Sequence, residues 1–154
     1  MDVDYSLEHP TILVRTLKGA DLERLIRMDQ AWGGKNRSSY LQGKLDRALK
    51  ADVRISLGAE VDGTLVGAVL GSVQYGEFGQ AIPVAILDTL LVDRKSVRHG
   101  VGRAMLDQLM KNLAALHIER VRTEVGWNEQ QLIAFLAAAG FSPVPRLVLE
   151  REVG

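Results

Sequence analysis

The chain has no cysteine, three histidines and few aromatic residues, 5% of the total. Without cysteine there are no disulfides, no thiolate metal ligands and no thiol nucleophile. His9, His99 and His117 are scattered along the sequence, so no metal site is expected from them. Neither sign of charge dominates: lysine plus arginine and aspartate plus glutamate each number 19. The molecule as a whole has no net field to draw it to nucleic acid or to an anionic membrane. No apolar run approaches the roughly 20 residues that span a bilayer. Residues 1–10 are polar and acidic and lack the apolar centre of a secretory signal; they read as a flexible leader on a cytoplasmic protein. Internal repeats and low-complexity tracts are missing as well.

What remains is the composition of an ordinary globular protein, 47% apolar and 25% charged over 154 residues. That length supports one domain with a sizeable core, expected over residues 11–154. Its most informative stretch runs from Leu87 to Leu116. An apolar strand containing Leu90, Leu91 and Val92 leads through Asp93-Arg94-Lys95-Ser96 into Val97-Arg98-His99-Gly100-Val101-Gly102-Arg103. Met105, Leu106, Leu109, Leu113 and Leu116 then recur at helical spacing. Glycines at a helix start let a ligand approach the backbone, and the first-turn N–H groups have no partners inside the helix. The helix dipole adds roughly half a positive charge at that end. Arg94, Lys95, Arg98 and Arg103 add full ones. The pattern predicts a pyrophosphate cradle. A nucleoside-triphosphate loop requires Lys-Ser or Lys-Thr after its last glycine, where this chain has Arg103-Ala104. A dinucleotide fingerprint requires a third glycine where Met105 stands.

The other elements follow from periodicity and turn chemistry. A strand is predicted over Thr11 to Leu17, then a helix with Leu22, Leu25 and Ile26 on one face. A loop from Ala31 to Ser39 precedes a second helix with the stripe Leu41, Leu45, Ala48 and Leu49. Asp62-Gly63 predicts a tight turn between strands Val53 to Val61 and Thr64 to Tyr75. A glycine-bearing turn leads into a strand from Ala81 to Val92, and after the central helix comes a strand from Glu119 to Gly126. Asn128 opens the next helix, with Gln131 completing a capping-box-like pair, Gly140 as its stop and Phe141 as its hydrophobic latch. Arg146 to Arg151 is read as a final strand. This order spells an α+β domain with a mixed sheet.

Gly100-Val101-Gly102 behind an apolar strand, and an Asn-led helix ending in Gly140-Phe141, together resemble the two signature regions of the GNAT superfamily of acyl-CoA-dependent N-acyltransferases. The resemblance extends over nearly the whole chain. Val97 departs from it, standing where the signature has Arg or Gln. The resemblance implies a GNAT-type fold, a mixed and mostly antiparallel sheet flanked by about four helices, and acetyl-CoA as acyl donor. It implies that backbone groups from Val97, Arg98, His99, Gly100, Val101, Gly102 and Arg103 hold the CoA pyrophosphate. It implies that the backbone of Leu90, Leu91 and Val92 pairs with the pantetheine arm, the N–H of Leu91 or Val92 facing the thioester carbonyl. Asn128 and Phe135 are implied to lie beside the same cosubstrate. Family members often carry a tyrosine general acid where this chain has Leu136. Homodimers built through the last strands are a further expectation from the resemblance.

An amine acceptor must lose a proton before it attacks, and a lysine-like ammonium has a pKa of about 10.4. Asp88 interrupts an otherwise apolar strand, where a charge is costly unless satisfied. It is the first candidate for a base or orienting carboxylate; a structural pairing with an arginine is the competing reading of equal weight. Glu124 and Glu77 are weaker candidates, and Thr89 is placed to orient a water. Trp32, Tyr40, Tyr75 and Phe78 flank the loops expected to receive the acceptor. Three functions follow in order of preference. The first is an N-acetyltransferase acting on a primary amine in a ternary complex. The second is a CoA-binding but catalytically weak regulatory or interaction module, suggested by Val97 and Leu136. The third is a different nucleotide binder with a similar loop.

Overall fold

In the computed structural model, which describes residues 11–33, 35–75, 78 and 81–154, five strands form one sheet. They are β1 (Leu13–Thr16), β2 (Leu57–Val61), β3 (Thr64–Tyr75), β4 (Pro83–Val92) and β5 (Val121–Thr123), lying side by side in sequence order. The first four pair antiparallel, and β4 and β5 pair parallel. The helices are α1 (Leu22–Gly33), α2 (Ser38–Lys50), α3 (Val101–Ala115) and α4 (Gln130–Ala138). This is the α+β arrangement with a mixed sheet expected above. Contacts divide the chain into a unit ending at Glu124, which holds the sheet and α1 to α3, and a unit from Val125 to Gly154, which holds α4. The expected leader, residues 1–10, lies outside the described residues.

The turn between β2 and β3 has Asp62 at φ 50° and Gly63 at φ 78°. Two left-handed residues in succession give the twist that a two-residue hairpin needs, and Asp-Gly is the pair that tolerates it. One core cluster joins Leu17, Leu25, Met28, Leu45, Leu65, Ala68, Leu70 and Leu91, bringing α1 and α2 onto the sheet. The apolar stripe of α3 is buried through Val101, Met105, Leu106, Leu109 and Leu113. Gly67 on β3 permits this close packing: a Cβ there would stand 2.7 Å from Val101 Cγ1 and 2.9 Å from Met105 Cε.

A charged cluster ties β1 to the turn ahead of α1. Arg15 donates both terminal nitrogens to Asp21 at 2.9 Å and its Nε to Glu60 at 2.8 Å, while the Lys18 amide donates to Asp21 at 2.8 Å. Burial alone would raise the Asp21 carboxyl, but the hydrogen bonds and positive charges of Arg15 and Lys18 outweigh it and hold it below the usual carboxylate range. A folded pKa below the unfolded value of about 3.9 means that the stabilisation is complete above that value. It is lost as pH falls through the folded one. Asp21→Asn is therefore expected to cost about 2 kcal/mol at pH 7 and to flatten the acid limb of the stability curve, as read by urea unfolding at stepped pH.

The strand predicted over Val53 to Val61 is only Leu57–Val61, and the loop expected over Ala31 to Ser39 is shortened because α1 runs to Gly33 and α2 starts at Ser38. Three further elements differ from expectation. The strand predicted over Glu119 to Gly126 is only Val121–Thr123, the residues in register with Ala85, Ile86 and Leu87; Arg120 adds a single bond, its carbonyl accepting the Ala85 N–H at 3.0 Å. Asn128 does not cap α4: residues Gly126 to Glu129 form a turn, closed by the Glu129 N–H to the Gly126 carbonyl at 3.1 Å, and the helix begins at Gln130. Arg146 to Arg151 forms no strand; Leu147, Val148 and Leu149 are exposed, and among the described residues no ladder pairs with them. At the other end of α4 the predicted stop is present. Gly140, at φ 96°, donates to Ala137 at 3.1 Å and Phe141 donates to Leu136 at 3.0 Å, the paired bonds that close a helix through a left-handed glycine.

Candidate active site

The strand that organises the site carries a bulge. β4 pairs with β3 from Gly67↔Val92 to Leu70↔Thr89, then resumes at Gly71↔Leu87, leaving Asp88 as the extra residue. A bulge breaks the alternation of side chains and re-aims the residue at its crest. Here it turns Asp88 toward α2: Lys44 Nζ lies 2.9 Å from Asp88 Oδ2, and the Thr89 hydroxyl donates to Asp88 Oδ1 at 2.7 Å. The charge in this apolar strand is thus satisfied by a lysine, where the sequence suggested an arginine. The Asp88 side chain is 38% exposed, so the pairing leaves it accessible. Gly71 makes the bulge possible, since a Cβ there would come within 2.3 Å of the Ile86 carbonyl oxygen. Ser56 Oγ accepts the Gly71 N–H at 3.1 Å and donates to its carbonyl at 3.3 Å.

Beyond Leu87 the far edge of β4 has no strand neighbour among the described residues. The ladder with β5 covers only Ala85, Ile86 and Leu87, and Thr123 Oγ1 closes it by donating to the Leu87 carbonyl at 2.9 Å. At about 3.3 Å per residue, the open edge from Leu87 to Val92 is about 16 Å long. Register decides which groups face it. The Asp93 N–H bonds to the Val66 carbonyl at 2.8 Å, and Gly67 lies opposite Val92. Bonded and non-bonded pairs alternate along an antiparallel ladder, so Leu91 directs its N–H and C=O to Ala68, whereas Leu90 and Val92 direct theirs away from β3. Leu91, expected to offer its N–H to a thioester, offers it to β3 instead, and its side chain belongs to the core. Of the two residues considered for that role, Val92 alone has the right orientation. Its carbonyl accepts the Trp32 indole N–H at 2.7 Å, a contact from the last turn of α1 that the sequence did not announce.

The loop after β4 starts from a fixed point. Arg24 donates to the Leu65 carbonyl at 2.8 Å and to Asp93 Oδ2 at 3.1 Å, and the Ser96 N–H bonds to the Asp93 carbonyl at 2.8 Å. Arg98 at φ 65° and Gly100 at φ 81° then bend the chain into α3. A left-handed arginine costs about 1 to 2 kcal/mol, the kind of strain that accumulates at ligand clamps. The first helical bond runs from the Ala104 N–H to the Gly100 carbonyl at 2.9 Å, so the amides of Val101 and Gly102 lie ahead of it. Lys95, Val97, Arg98 and His99 are exposed or half-exposed around this end. Arg94 stacks 5.7 Å from the Trp32 ring and donates to the Ala31 carbonyl at 3.2 Å, while Arg103 pairs with Asp107 along the helix surface. The predicted anion cradle thus stands at the end of the open strand edge.

The remaining predicted residues are placed as follows. Asn128 is exposed, Phe135 is half-buried on α4, and Leu136 beside it is buried. Glu124 is exposed just past β5, and Glu77 lies outside the described residues. Trp32 and Tyr40 are half-exposed, Tyr75 and Phe78 largely so, and Tyr40 stands between the Arg37 and Lys44 cations. Lys44, Trp32, Thr123 and Gly71 all shape the site; the sequence carried no signal for Lys44 or Thr123, and it placed Trp32 beside the acceptor loops without its bond to Val92. Gly71, a glycine inside a strand pattern like Gly58 and Gly67, was a hint of a bulge or close approach that did not say which. Among the described residues no group of three or more His, Asp or Glu is placed to hold a metal ion.

The sequence matches the Acetyltransferase (GNAT) family over residues 21–141. The chain belongs to the GNAT acetyltransferase family. No curated protein matches this GNAT sequence, but solved structures do. The aminoglycoside N-acetyltransferase AAC(6')-Iy, in complex with CoA, aligns at a TM-score of 0.79 and 16% identity over 93% of this chain and 95% of that one. The aminoglycoside 6'-N-acetyltransferase AAC(6')-Ih from Acinetobacter baumannii aligns at 0.77 and 18% identity over 94% and 100%. A transcriptional regulator from Bacillus halodurans aligns at 0.76 and 12% identity over 93% and 100%. At such identities the likeness is one of fold, and GNAT membership is what the family match establishes.

Proposed function

We propose that this protein is an N-acetyltransferase that takes acetyl-CoA as donor and a primary amine as acceptor, by direct attack in a ternary complex, with residues 11–154 acting as one domain. The observation that carries this reading is a continuous run from a helix start suited to anions, along an open strand edge, to a carboxylate about 13 Å back along the strand. Acetyl-CoA supplies the activated thioester. The amides of Val101 and Gly102 bind its diphosphate, assisted by the charges of Lys95 and Arg98 in the loop from Val97 to Arg103. Edge groups of Leu90 and Val92 align the pantetheine arm as a surrogate strand. An outward-facing N–H of this edge, that of Leu90 or Val92, donates to the thioester oxygen as that oxygen gains charge in the tetrahedral intermediate. Asp88 orients the acceptor ammonium and takes one proton from it, freeing the lone pair that forms the C–N bond; the second N–H proton passes from the tetrahedral intermediate to water as the C–S bond breaks. Leu136 has no proton to give the leaving group. A thiol pKa of about 8.5 lets CoA depart as thiolate and collect its proton from water.

Release of free CoA thiol from acetyl-CoA across a broad amine panel tests the activity; no release above background ends the proposal. Binding of acetyl-CoA without turnover would instead support a regulatory module, the reading that Val97 and Leu136 favour. Gly100→Val tests the cradle. A β-branched residue at φ 81° is strained although space is free around it, and a strain of about 1 to 2 kcal/mol corresponds to roughly tenfold weaker acetyl-CoA binding by calorimetry. Full affinity in this variant would place the diphosphate elsewhere. No helix of the described residues is long and apolar enough to cross a membrane. A cytoplasmic location and a homodimer complete the proposal, with no nucleic-acid partner.

A further inference from the structure

Asp88 does not stand alone at its end of the open edge. Its Oδ2 is 2.9 Å from Lys44 Nζ and its Oδ1 accepts the Thr89 hydroxyl. One turn before Lys44 on α2, the Tyr40 ring has Lys44 Nζ 5.6 Å and the Arg37 guanidinium 5.1 Å from its centroid. Arg37 is committed to the buried Asp29 by two hydrogen bonds, which fixes it beside the ring. Lys44 is less committed: an ammonium has three donors, and each carboxylate oxygen of Asp88 has a second lone pair. With side-chain exposures of 21% and 38%, both members of the pair are within reach of a ligand.

The charges of Asp88, Asp29, Lys44 and Arg37 cancel. A receptor for a polycation needs a surplus of carboxylates, which this group does not supply. Any amine that reaches Asp88 must set its own positive charge beside Lys44, and each further ammonium adds repulsion from Lys44 and Arg37. An amine that carries an anion a few ångströms away meets the opposite situation: its ammonium takes Asp88 while its anion takes Lys44, so both halves of the pair exchange partners without leaving a charge unmatched. We propose that the acceptor is a zwitterion of this kind, a primary amine bearing a carboxylate, held at one end by Asp88 and at the other by Lys44, with Tyr40 against the carbon chain between them. This rests on the acetyltransferase reading and narrows its acceptor; Lys44 is the residue that sets specificity. Aminoglycosides, the substrates named for two of the structural neighbours, carry several ammonium groups and lack the anion.

The test compares β-alanine and 4-aminobutyrate with their methyl esters and with spermidine. CoA-thiol release gives kcat and KM, and calorimetry on the CoA-loaded protein gives affinity without requiring turnover. The wild type is expected to favour each free amino acid over its ester by roughly tenfold or more, the difference lying mainly in KM. Lys44→Met should bring that ratio near one, Lys44→Arg should largely keep it, and Lys44→Glu should shift preference toward spermidine. Esters or spermidine handled as well as the amino acids by the wild type would overturn the inference, as would calorimetry that detects no binding of either amino acid. Absence of turnover with every amine would count against the acetyltransferase reading instead, while the calorimetric preference would still decide the zwitterion.

Discussion

Replacing Asp88 with asparagine is expected to lower kcat by about 10²-fold or more, the usual worth of a positioned acid or base, and to leave acetyl-CoA affinity unchanged. The substitution keeps the shape of the side chain and an oxygen for the Thr89 hydroxyl, so the bulge in β4 is retained. It removes the negative charge that orients an ammonium and the site that receives its proton. Lys44 loses an ionic partner, but at this exposure the loss costs little stability. The diphosphate and pantetheine contacts proposed above lie on other residues, which separates the two readouts. Steady-state thiol release and calorimetry with acetyl-CoA check them together. Full turnover in the variant would remove Asp88 from the chemistry and leave its pairing with Lys44 as a structural contact.

Gly71→Ala is expected to be the most disruptive conservative change in the sheet. The added Cβ would stand 2.3 Å from the Ile86 carbonyl oxygen and 3.2 Å from its carbon, and both are backbone atoms that no rotamer change can move. The ladder must open at the bulge, and the two hydrogen bonds between Ser56 and Gly71 open with it. Overpacking and lost buried hydrogen bonds together are worth about 3 kcal/mol or more. For a chain of this size that is a fall in Tm of about 6 to 12 °C. Urea and thermal unfolding measure it, and activity should fall further than stability because Asp88 moves with the bulge. A variant that melts within a degree or two of the wild type would show that β3 and β4 do not meet at Gly71 in this register.

Several features were legible without any structure because their causes are local. Asp62-Gly63 demands two left-handed residues, and Gly140 followed by Phe141 closes a helix; both devices appear where the residues predict them. The apolar stripe of α3 required only its own periodicity, and Gly100 at its start marks a bend that few other residues make. Asn128 misled because a capping residue and a turn residue look alike in sequence, and here the turn won. Arg146 to Arg151 misled because a short apolar run, here Leu147-Val148-Leu149, forms a strand only when a neighbouring edge receives it.

The site was divided in the same way. Sequence by itself determined that a glycine-opened helix follows an apolar strand with a carboxylate inside it, since those facts depend on residues a few positions apart. The tertiary structure decided which backbone amides of that strand are spoken for, where the bulge falls, and which side chains from distant helices meet it. Leu91 and Val92 are neighbours of similar chemistry, yet register against β3 points one inward and the other toward the open edge. Lys44 reaches Asp88 only because α2 packs on the sheet beside the bulge. Local conformational demands are written into single residues; hydrogen-bond register and charge pairing are properties of two segments at once, and neither segment carries them alone.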